Sequence, residues 1–89
     1  NSPNVRGYAT AFAQRLAQEA GEDLEKVVKA GYQTALGREP DADETAATLA
    51  FLKNQEASYQ EAKQNNPRHL ALVDMAQTLL SLNEFSYLR

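Results

Sequence analysis

Apolar side chains recur at helical spacing along most of the chain, and no stretch alternates apolar and polar as a half-buried strand would. In the first segment Val5, Tyr8, Ala9, Phe12, Ala13, Leu16, Ala17 and Ala20 follow the i, i+3, i+4, i+7 rule. Arg6, Gln14, Arg15, Gln18 and Glu19 occupy the opposite face. Ser2 suits an N-cap and Pro3 the first helical position, where a missing N–H costs nothing. Gly21 tolerates the positive φ that closes a helix.

A second helix is expected from Glu22-Asp23, whose acids favour the positive end of the helix dipole. Its stripe is Leu24, Val27, Val28, Gly31, Ala35 and Leu36, with Tyr32 on the flank. A glycine inside a helix costs about 1 kcal/mol against alanine, so Gly31 predicts close approach of a neighbouring helix. Gly37 ends the element and Pro40 blocks continuation. Asp41 with Glu44 reads as an N-cap and its capping-box partner. The helix they open is expected to run to about Lys63, with Thr45, Leu49, Leu52, Glu56 and Tyr59 on one side and Ala46 and Phe51 widening it. Its polar second half, Asn54 to Gln64, is expected to protrude into solvent.

Asn65-Asn66-Pro67 marks a turn. From about Arg68 the fourth segment is the most apolar. Leu72, Val73, Ala76, Leu79, Leu80 and Asn83 share a face, and Leu70, Met75 and Leu82 carry apolar surface around the helix. That width predicts a central helix with more than one neighbour. Asn83 is expected to stop it, since asparagine tolerates the left-handed conformation. Phe85, Tyr87 and Leu88 would then fold back as an apolar clasp. The fold class that follows is all-α: a small bundle of about four helices with short loops, in one domain spanning residues 1–89.

Composition narrows the chemistry. There is no cysteine, so a disulfide, a thiolate metal site, a cysteine nucleophile and a covalently attached c-type haem are excluded. Nine basic against twelve acidic residues, a formal net charge of −3 with the basic residues scattered, argue against a nucleic-acid partner. No apolar run approaches the ~20 residues that span a bilayer, so no membrane insertion is expected. The chain opens without Met, and the expectation is a segment of something longer.

Candidate sites are few. Glu39, Asp41, Asp43 and Glu44 form an acidic cluster, but a calcium loop begun at Asp41 would need glycine where Ala46 stands and glutamate where Leu52 stands. Helix capping explains the cluster better. The lone histidine, His69, has only Arg68 and Asp74 nearby in sequence. The serines lack a nucleophile-elbow context, and there is no glycine-rich phosphate loop. Arg38, just beyond the Gly37 cap, can clamp Glu44 or Glu84 with its planar fork, or bind an external carboxylate or phosphate. Of the four tyrosines, Tyr8, Tyr32 and Tyr87 lie on or beside apolar stripes and read as core. Tyr59 reads as the exposed one, and a sugar-stacking platform would need several such rings together. The structural and interaction candidates are Arg38, Asp41, Glu44, Asn83, Glu84 and Phe85; no catalytic, cofactor or metal residue is expected.

Several stretches resemble a family. Asn1-Ser2-Pro3-Asn4-Val5 is similar to the "NSPFV" that opens the last part of a planctomycete domain of unknown function. Tyr32 to Pro40 resembles its "YrlaLgRpP", and Glu44 falls on its following acidic position. Ala50-Phe51-Leu52 resembles its "aFL", and Leu79 to Leu88 its closing "LLNLNEFlYv". That family forms the C-terminal domain of large planctomycete proteins that also carry a planctomycete cytochrome c domain and a second uncharacterised domain. Leu36 to Asp41 also resembles the "LGRxPD" of helical modules in bacterial surface proteins and phycobilisome linkers, over one helix joint only.

The family has no established activity, so the resemblance carries over no catalytic residue. It implies the C-terminal piece of an exported, periplasmic or cell-surface protein, with haem, if present, in another domain. The expected function is that of a non-catalytic helical module contacting other domains of its parent or a protein partner. The alternative is an accessory domain that supports an enzymatic or redox site elsewhere in the parent, cytochrome-c-linked, with polysaccharide as its candidate substrate.

Overall fold

The computed structural model describes the backbone of residues 3–87 and the side chains of residues 4–84. Four helices follow one another: α1 Pro3–Ala20, α2 Leu24–Leu36, α3 Ala42–Glu61 and α4 Pro67–Tyr87. There is no strand among the described residues. The all-α bundle expected from periodicity is therefore what the chain forms.

The joints explain the boundaries. Gly21 and Gly37 both take φ of 71°, the left-handed conformation that ends a helix. The second helix begins at Leu24 rather than Glu22, because Asp23 is its N-cap and accepts from the N–H groups of Glu25 and Lys26. Asp41 caps α3 in a full capping box. Its Oδ1 accepts from the Glu44 N–H at 2.8 Å, and the Glu44 carboxylate accepts from the Asp41 N–H at 3.0 Å. The turn before Pro67 contains Lys63 and Asn66 at φ of 57° and 54°. Ser2, the expected cap of α1, lies outside the described residues.

α4 is the centre of the bundle and packs on each of the other three helices. It buries Ala71, Leu72, Val73, Met75, Ala76 and Leu79, residues on more than one face of the helix, as its wide apolar surface predicted. α1 presents Ala9, Ala13 and Leu16 to this core, α2 presents Val27, Val28, Gly31, Tyr32 and Ala35, and α3 presents Leu52. Gly31 does mark a close approach. A Cβ there would lie 3.0 Å from Leu79 Cδ1, 3.3 Å from Met75 Cε and 3.5 Å from Leu16 Cδ1.

Four expectations are corrected. Asn83 does not stop the fourth helix, which continues to Tyr87. The backbone of residues 85–87 is thus helical and does not fold back; the side chains of the expected clasp, Phe85, Tyr87 and Leu88, lie outside the described residues. The second half of α3 is only partly left to solvent: residues 60–64 are exposed, as expected, but Gln55 and Tyr59 both bond Asp74 on α4. The tyrosines also exchange places, since Tyr8 is 66% exposed and Tyr59 is half-buried.

Candidate functional site

The α2–α3 joint holds three of the candidates named from sequence. Arg38 forks onto Glu44, with Nη1 2.8 Å from Oε1 and Nη2 2.9 Å from Oε2. Its partner is Glu44 and not Glu84, which lies exposed near the end of α4. Nη1 also donates to the Glu39 carbonyl, and the guanidinium carbon lies 5.7 Å from the centre of the Tyr32 ring. Bonds from Arg38 first, and from the Asp41 backbone N–H second, push the Glu44 carboxyl down to about 2. The Asp41 carboxylate is spent on its cap. Arg38, Glu44 and the Asp41 cap are partnered within the joint and Glu39 pairs with Lys29 of α2, so the joint works as a corner brace.

A second polar cluster was missed by sequence reasoning. Asp74, on α4, accepts from Arg6 Nη1 on α1 at 2.8 Å, and from Gln55 Nε2 and Tyr59 Oη on α3 at 2.8 Å each. Arg6 donates further to Gln77 at 3.0 Å. Burial pushes the Asp74 carboxyl up, but the bonds from Gln55, Arg6 and Tyr59 outweigh it and hold the group below its ordinary value. The bond to Asp74 raises Tyr59. The available signal was one acid inside the most apolar segment, flanked by Val73 and Met75. His69 makes no bond to it among those the structure shows. No group of three or more potential metal ligands occurs among the described residues.

The remaining feature is a groove of about 290 Å³ between α1, α2 and the end of α4. Its origin is the width of the α1 stripe. Ala9, Ala13 and Leu16 face the core, and the small alanines let α1 lie close to α4. The adjoining row, Tyr8, Ala11, Phe12 and Arg15, recurs at i, i+3, i+4 and i+7 and forms one wall of the groove. Leu80 and Asn83 form the α4 wall, and Thr34 and Ala35 close the α2 end. Phe12 and Leu80 are half-buried and pack against the core. Tyr8 stands out of it. The Asn83 side-chain amide donates to the Ala35 carbonyl, fixing this wall to α2. Leu82, 44% exposed, does not line the groove.

Another depression is lined by Asp23, Glu25, Lys26, Lys29, Glu39, Pro40 and Thr45. Its charges are mixed, and Lys29 already pairs with Glu39 at 2.9 Å. No helix among the described residues is long and apolar enough to cross a membrane. Comparison with protein-family models, with curated proteins and with solved structures yields no match.

Proposed function

We propose that this chain is a non-catalytic helical module that docks, through the groove between α1, α2 and α4, onto another domain or a protein partner. The observation that carries the reading is Tyr8: a large ring, 66% exposed, standing beside half-buried Phe12 and Leu80 at an open groove. An amphipathic ring with one apolar body and one wet end is well suited to an interface. The competing clusters are self-satisfied, because Arg38, Glu44 and Asp41 bond one another, as do Arg6, Asp74 and Tyr59. The resemblance to the planctomycete domain supports the same reading and adds the proposal that the module closes a larger exported protein, with any haem in another domain.

The test is photochemical oxidation of aromatic side chains in cells that produce the protein and on the purified 89-residue chain. Tyr8 should be labelled readily when purified and protected in cells, with Tyr59 serving as internal reference. Equal labelling of Tyr8 in both states would remove the docking reading.

A further inference from the structure

The groove is electrically lopsided. Arg15 is its only charged lining residue among the described side chains. The Arg15 side chain is 68% exposed, and Glu19, a turn further along α1, lies 3.9 Å from it, the outer limit of an ion pair. Among the described residues no acidic side chain lines the groove, although the chain as a whole carries a net charge of −3. The walls are helices, whose backbone N–H and C=O groups are bonded internally. They therefore offer no edge to which an extended strand could add, and recognition has to run through side chains. The row Tyr8, Ala11, Phe12, Arg15 supplies two large rings with a small residue between them, the notched relief into which the ridge of a second helix packs.

We infer that the groove accepts an amphipathic helical segment of a partner polypeptide, its apolar ridge seated on Tyr8, Phe12 and Leu80 and a carboxylate at the ridge border paired with Arg15. This rests on the docking reading and adds the chemistry of the occupant.

The probe is a pair of synthetic amphipathic helical peptides with the same leucine ridge, bordered by glutamate in one and by lysine in the other. Each is titrated into isotope-labelled protein at low salt while amide shifts are followed. The glutamate peptide should move Tyr8, Phe12, Thr34 and Leu80 and saturate. The lysine peptide should bind about two- to fivefold more weakly, the worth of an exposed charge pair. Arg15→Glu, at an exposed position, should keep the helical circular dichroism and reverse the preference. Equal binding of both peptides in the groove, unchanged by Arg15→Glu, overturns the acidic occupant and leaves docking intact. Shifts absent from the groove, or scattered over other faces, overturn the helical occupant altogether; the docking reading is then judged by Tyr8 labelling in cells.

Discussion

Asn83, near the end of α4, donates its side-chain amide to the carbonyl of Ala35, 48 positions earlier and in the last turn of α2. A carbonyl in the last turn of a helix has no partner in its own helix. Asn83 is therefore a cap, but for another helix than its own. Asn83→Ala should cost about 1 kcal/mol, the net worth of one such bond. Asn83→Asp should cost more, about 1–3 kcal/mol, because it sets a carboxylate oxygen against a carbonyl oxygen. Urea unfolding followed by circular dichroism separates the two; an aspartate variant as stable as the wild type would refute the assignment.

Asp74 joins three helices through one carboxylate. Asp74→Ala should lose about 1–2 kcal/mol, since several bonds disappear while the partly exposed partners regain water. Tyr59→Phe should lose less. The pair should also be non-additive in a double-mutant cycle, as two members of one network are. Strict additivity would mean that the cluster does not act as a unit.

Two glycines inside helices should respond in opposite directions to alanine. Gly7 lies exposed in α1 with nothing within 4 Å of its would-be Cβ. Gly7→Ala should raise stability by about 1 kcal/mol through helix propensity. At Gly31 the same gain meets Leu79 and Met75 at 3.0 and 3.3 Å. Overpacking there costs about 1–3 kcal/mol, so a net loss of about 1 kcal/mol is expected. Thermal melts of both variants decide the matter, and shifts of the same sign would contradict the packing around Gly31.

The Arg38–Glu44 brace makes stability depend on acid. Glu44 titrates at about 2 in the folded chain against an ordinary 4.5. A depressed folded value means that the contribution is full above the unfolded value and drains away as pH falls from 4.5 towards about 2. The wild type should lose its melting-temperature advantage over Glu44→Gln across that window. A constant difference between the two would show that the fork contributes nothing.

The helices were legible because each rests on local cues: Asp41 with Glu44, Gly21, Gly37, and apolar residues at helical spacing. Gly31 was legible because an unfavourable glycine calls for a neighbour. Arg38 was legible down to a choice between Glu44 and Glu84, and the shorter sequence separation won. What lay beyond reach was long-range pairing. Nothing local ties Arg6 to Asp74, or Asn83 to Ala35. Tyr8 was misread for a related reason. Periodicity places it on the α1 stripe, but the stripe is wider than the surface α4 and α2 cover, so the row through Ala9 and Ala13 is buried and the row through Tyr8 is not.

The central place of α4 bears on how the chain is born. The backbones of α1 and α3 do not approach each other; both rest on α4. A ribosome releases α4 after the other three helices. Until it emerges, α1 and α3 can each pack only on α2, and the surfaces these helices turn to α4 stay uncovered. The nascent chain therefore passes through a stage of helices with part of their apolar stripes uncovered, and the core is completed only when α4 arrives.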